Sequence, residues 1–128
     1  MIPSQSIGSI PRSDELLAAD ARSRRGGIGS EYLHAYSLRA IQSTIEQLEA
    51  TGSKVVTDGE QTKPSFLTYP IAKLMNEQYI ITQDCFSLKS TDGRYRRLPR
   101  LIKSPFRYAT HAHEYINTAK QFTKLPIK

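Results

Sequence analysis

Ser53-Lys54-Val55-Val56-Thr57-Asp58-Gly59-Glu60 is the stretch on which the fold turns. Its first five residues include the β-branched run that favours an extended strand, and Asp58-Gly59 is a turn signal at the C-terminal end. Upstream, apolar residues recur at Leu33, Tyr36, Ala40, Ile41, Ile45 and Leu48, the three- and four-residue spacing of one helix face. Arg39, Gln42, Glu46 and Glu49 occupy the opposite face, Ser30 is the predicted N-cap and Gly52 the predicted stop. Further back, Ser13 is placed to cap a short helix from Asp14 to Arg24, with negative charge in its first turn and Gly26-Gly27 after its last. Gln5-Ser6-Ile7-Gly8-Ser9-Ile10 reads as a further strand, closed by Pro11. Residues 5–60 therefore read strand, helix, helix, strand. Strands joined by long helical connections are normally parallel, with right-handed crossovers.

Downstream the pattern changes. Residues 66–76 suggest a helix interrupted by Pro70, and 80–89 alternate loosely as a strand. Thr91-Asp92-Gly93 has the composition of a hairpin turn, and residues 94–102 return as a second strand. A helix is predicted over 108–122, and Leu125-Pro126-Ile127-Lys128 opens another strand.

Composition narrows the function classes. The chain has 128 residues, a length that fits one domain of ordinary size. No stretch approaches the ~20 apolar residues of a membrane span. Met1-Ile2-Pro3-Ser4 lacks the basic and apolar regions of a secretory signal, so a cytoplasmic location is expected. A single cysteine, Cys85, excludes an intrachain disulfide framework and an all-cysteine metal site. The net charge of +6 is unevenly spread. Residues 1–64 hold seven Lys or Arg against eight Asp or Glu, whereas residues 65–128 hold eleven against four. Arg94, Arg96, Arg97, Arg100, Lys103 and Arg107 alternate with Tyr95, Phe106 and Tyr108, as in a nucleic-acid-binding strand. No recognition motif accompanies them, so a solvated basic strand or half of an interface is the favoured explanation.

Two strand ends carry the candidate chemistry. In parallel α/β proteins ligands bind at the C-terminal ends of the strands. At the first end, Gly8 admits a ligand to the backbone, and the Ser9 amide and hydroxyl can hold a carboxylate. At the second, Glu60 can bind an ammonium group or act in acid–base work, while Asp58 can do the same or stabilise the turn. Each motif taken alone fits an ordinary turn. Together, on adjacent parallel strands, they set an anion-binding turn beside a cation-binding carboxylate, the pairing an α-amino acid requires. The histidines add little. His34 lies near the start of the long helix, and His111 and His113 would point in different directions on a helix, a poor arrangement for a metal. Gly26-Gly27-Ile28-Gly29 lacks the Lys-Ser/Thr of a phosphate loop.

In order, Ile7-Gly8-Ser9-Ile10-Pro11, the helix end Gln47-Leu48-Glu49-Ala50-Thr51-Gly52 and the strand end Asp58-Gly59-Glu60 resemble the catalytic C-terminal domain of the cobalamin-independent methionine synthase family. Pro11-Arg12 and Asp58-Gly59-Glu60-Gln61 are closer to its shorter, synthase-like branch. The resemblance implies an α/β fold, a (β/α)8 TIM barrel. It also implies zinc-assisted transfer of a methyl group from a methylated folate to a thiol, homocysteine in the type reaction. Zinc lowers the thiol pKa and so supplies a thiolate at neutral pH. Residues that hold the amino acid map onto Ile7, Gly8, Ser9 and Glu60, and a folate-binding position maps onto Arg94, with Tyr95 beside it departing from the usual residue.

The family's zinc ligands, a His-x-Cys pair, a Glu and a final Cys, have no counterpart here. A whole barrel of this kind needs ~250 residues. Residues 1–128 are accordingly expected to be the N-terminal part of an incomplete barrel: its first two to three βα units with a β-hairpin insertion. They would carry the amino-acid half of the site and no catalytic or metal residue of their own. Two alternatives stay open: a non-catalytic fragment or interaction module that self-associates through unpaired strand edges, and a family enzyme acting on a different thiol.

Overall fold

Leu16 N–H donates to Ser13 Oγ at 3.2 Å, and this bond starts helix α1, Asp14–Arg24. The computed structural model describes residues 5–65, 68–74, 80–89, 93, 95–102 and 107–128, with the side chains of 72–74, 80–85, 95–97, 99 and 101 outside that description. The chain divides into two units, residues 1–62 with 113–128, and residues 63–112.

In the first unit α1 has the predicted bounds, because its signals are all local: a serine cap, Asp14 and Glu15 in the first turn, Arg22 and Arg24 in the last. Leu16 and Ala19 are its buried residues. Helix α2 spans Ser30–Ala50. Ser30 is its first helical residue rather than its cap; Gly29 holds the cap position and makes no side-chain capping bond. The inward face of α2 consists of Ser37, Ile41, Thr44 and Ile45. Two polar residues thus share a face whose periodicity pointed only to apolar ones. Ser37 satisfies its hydroxyl on the Leu33 carbonyl at 2.9 Å.

After Gly52 the chain runs through Val56, which pairs with Ile127 in a parallel bridge. Val56 N–H donates to Pro126 O at 3.0 Å, and Lys128 N–H donates to Val56 O at 2.9 Å. Ile41, Ile45, Val56 and Ala119 form the core, with Leu48, Phe122, Leu125 and Ile127 packed against it. The parallel pairing expected between residues 5–10 and 53–57 is not formed: residues 53–57 make this isolated bridge to Ile127 instead, and residues 5–10 form no strand. A ladder needs successive backbone pairs on a neighbour. The backbone link from 5–10 to the 57–61 turn is Ile10 N–H to Gly59 O, 3.0 Å, and Gly8 at φ +150° departs from a regular strand. Helix α3, Ala112–Ala119, is shorter than the predicted 108–122, and Tyr108 lies exposed ahead of it.

In the second unit a 3₁₀ helix, Tyr69–Leu74, stands in place of the predicted α-helix. Pro70 lacks an N–H, and its carbonyl accepts from Ala109 and Thr110 at 2.8 and 3.3 Å. Strands β1, Ile80–Lys89, and β2, Tyr95–Leu101, form the predicted antiparallel hairpin. Its register shifts between Ile81, opposite Arg100, and Phe86, opposite Leu98. Pro99 falls at this shift; having no N–H, it cannot donate to the ladder. Of the expected turn, Gly93 has φ +81°, and Thr91 and Asp92 lie outside the described residues.

Candidate functional site

Gly59 is where the two candidate strand ends meet. Its φ is +66°, and a Cβ at this position would lie 2.9 Å from Thr44 Cγ2 and 3.2 Å from Ile10 Cβ. Only a residue without a side chain lets the turn close this tightly against α2 and against residues 7–11. Thr57 secures its entrance: the hydroxyl donates to Gly8 O at 3.3 Å and accepts from Gly59 N–H at 3.2 Å. Gln61 secures its exit, with Nε2 donating to Thr44 Oγ1 at 3.2 Å and to Ile10 O at 3.4 Å.

Glu60, between them, has φ +56°, the one non-glycine residue with positive φ among the described residues. Asp58 Oδ1 accepts from Glu60 N–H at 2.9 Å. Arg12 donates from Nη2 to Glu60 O at 3.3 Å and from Nε to Gln61 O at 3.0 Å. The turn is buried at Thr57, Asp58 and Gln61 and half-buried at Glu60. Asp58 Oδ2 and Gln61 Oε1 are buried oxygens without a hydrogen-bond partner.

The two stretches singled out in the sequence are therefore neighbours. The Ile10–Gly59 bond joins the residues immediately beside Ser9 and Glu60. Ile7 and Ser9 are exposed and Gly8 is half-buried, with open space where its Cβ would be. Of Asp58's two expected roles, turn stabilisation is what the geometry displays. Arg12, Thr44 and Gln61 went unassigned as contributors. Thr44 left one trace, a β-branched polar residue in the apolar period of α2; Arg12 reaches across 48 and 49 residues of sequence and left none. Arg94 lies outside the described residues. Tyr95 opens β2, opposite Lys89, in the second unit, and its side chain lies outside the description.

Among the described residues no three His, Cys, Asp or Glu side chains converge as a zinc site would require. Among the same residues, no helix is long and apolar enough to cross a membrane.

No family model matches the sequence. The chain is 29% identical over 127 residues to a 5-methyltetrahydropteroyltriglutamate–homocysteine methyltransferase of Streptomyces coelicolor. That match takes in 99% of this chain and 16% of the relative. In fold it is similar to a solved B12-independent methionine synthase from a Shewanella species, in complex with selenomethionine. The TM-score is 0.66 and the identity 18%, over 98% of this chain and 36% of that one. The chain thus spans a minor part of each protein it resembles, and the resemblance carried by its motifs extends along nearly its whole length.

Proposed function

We propose that this chain, similar throughout to part of the cobalamin-independent methionine synthases, carries the amino-acid-binding part of a thiol S-methyltransferase site. Its helices and parallel Val56–Ile127 pairing would be the opening βα units of a (β/α)8 barrel, with the β1–β2 hairpin inserted. Ser9 would take the substrate carboxylate through its amide and hydroxyl, and Glu60 the ammonium group. The substrates would be a homocysteine-like thiol and a methylated folate, in a cytoplasmic enzyme. A thiol-activating zinc, where the family's chemistry applies, would rest on residues beyond this donor set.

The observation that carries this reading is the turn itself. Residues 8–12 and 57–61 are stitched together, so that Ser9 and Glu60 flank one backbone hydrogen bond at the edge of a buried network. Amide-resolved NMR titration of the chain with L-methionine, a thioether amino acid of the product class, tests it. Gly8, Ser9 and Glu60 amides should shift, and Glu60→Ala should raise the dissociation constant about tenfold, the value of one charge-assisted hydrogen bond. Unchanged affinity in that variant would remove Glu60 from the site. The isolated chain is further expected to show no methyl transfer from a methylated folate to homocysteine, because its described residues group no three His, Cys, Asp or Glu side chains to activate the thiol. Turnover by the purified 128-residue chain would contradict this.

A second reading, an interaction module, draws on β1. Phe86 and Leu88 are exposed there at 66% and 46%, and apolar residues on a short two-stranded sheet favour pairing with another edge. Light scattering separates the two: a concentration-dependent dimer favours the module, and a monomer across the concentration range opposes it.

A further inference from the structure

Glu60 works against its own backbone preference. L-residues with side chains rarely occupy φ near +56°, and glutamate has no local hydrogen bond of the asparagine kind to ease it. The conformation is held from both sides. The N–H of the 59–60 peptide is taken by Asp58 Oδ1, and the carbonyl of the 60–61 peptide by Arg12 Nη2. Arg12 Nε takes the next carbonyl, that of Gln61. With the peptide on each side of its Cα tied, both backbone dihedrals of Glu60 are set, and with them the direction in which the Cα–Cβ bond leaves the turn. The planar guanidinium suits this task, since two of its N–H groups meet successive carbonyls as a rigid fork. Asp58, 5% exposed, makes its bond where water does not compete.

We propose that Arg12 and Asp58 are positioning residues that aim the Glu60 carboxylate at the ammonium group of the bound amino acid. This rests on the assignment of Glu60 to that group. Neither side chain need touch the ligand. Their contribution is to spare the ligand the work of ordering a left-handed glutamate on binding.

The test is ligand discrimination in the full 128-residue chain. Dissociation constants are measured by NMR titration for L-methionine and for 4-(methylthio)butanoate, which lacks only the ammonium group. Wild type should favour methionine about tenfold, the worth of one charge-assisted bond. In Arg12→Ala and Asp58→Ala that preference should fall towards one while the affinity for the des-amino acid holds, because only the carboxylate's aim has been lost. A merely structural role would weaken both ligands in parallel, and that result would overturn the proposal. Asp58→Asn retains an acceptor for the Glu60 N–H and should restore most of the preference. Arg12→Lys keeps the charge and the stem, so it tests the fork even where the alanine variants do not fold; it should lose the preference, and full preference in this variant also overturns the proposal. If wild type itself shows no preference, the failure lies with the assignment of Glu60, and the positioning role falls with it.

Discussion

Gly59→Ala should cost about 3 kcal/mol of folding stability, from about 1–2 kcal/mol for a left-handed alanine and a similar amount for overpacking. The added methyl would stand 2.9 Å from Thr44 Cγ2, 3.0 Å from Gln61 Nε2 and 3.2 Å from Ile10 Cβ. The Gln61 amide is the tip of a side chain, but it is tied to Thr44 and Ile10, and the other two neighbours, a threonine methyl and an isoleucine Cβ, sit within two bonds of backbone. Relief by a small movement would therefore break the contacts that close the turn. Gly52 supplies the control. Its φ is +80°, and nothing lies within 4 Å of the Cβ it would gain. Gly52→Ala should thus carry the backbone cost alone, about 1 kcal/mol. The chain contains no Trp, so urea unfolding is best followed by far-ultraviolet circular dichroism. Equal midpoint shifts for the two variants would show that the close approach at Gly59 is not what constrains it.

Ile45→Ala is expected to cost about 3–4 kcal/mol, within the range for removing a buried isoleucine side chain to Cβ. Ile45 is 0% exposed and shares its cluster with Ile41, Val56 and Ala119. It therefore joins α2 to the Val56–Ile127 pairing and to α3. A cavity here should be felt on the strand side, since that bridge has no ladder to reinforce it. Hydrogen exchange makes the effect local: the amides of Val56 and Lys128, which form the two bonds of the bridge, should lose protection in proportion to the global loss. Leu17→Ala, on the exposed face of α1 at 47% exposure, should stay within about 0.5 kcal/mol of wild type. Comparable losses at Leu17 and Ile45 would mean that the cluster does not carry the stability of this unit.

The residues of the candidate site were legible to different depths. Ile7-Gly8-Ser9 and Glu60 stood out because small residues and a carboxylate at strand ends carry chemical meaning through residue type and position alone. Asp58 was ambiguous for a sound reason. An aspartate beside glycine is both a turn former and a candidate acid, and nothing in its sequence neighbours tells which way its carboxylate points. Arg12 resembled any arginine after a proline. Its bonds to Glu60 and Gln61 exist only because the chain returns to that place after two helices. The second unit shows the same division. Its hairpin was readable from alternation and a glycine turn, whereas the register shift at Pro99 and the 3₁₀ helix at Pro70 depend on which carbonyls and amides each proline leaves to other partners.

Sequence alone determined α1, α2 and the hairpin, because caps, glycine stops and hydrophobic period act within a few residues of one another. Tertiary structure decided the rest: that residues 5–10 and 53–57 touch their neighbours through isolated links rather than ladders, that Ser37 and Thr44 belong to the inner face of α2, and that Glu60 is left-handed with Asp58 buried beside it. A helix satisfies its backbone from within, so its own residues suffice to specify it. A strand end and a strained turn must satisfy theirs from elsewhere in the chain, and those partners exist only once the fold has brought them close.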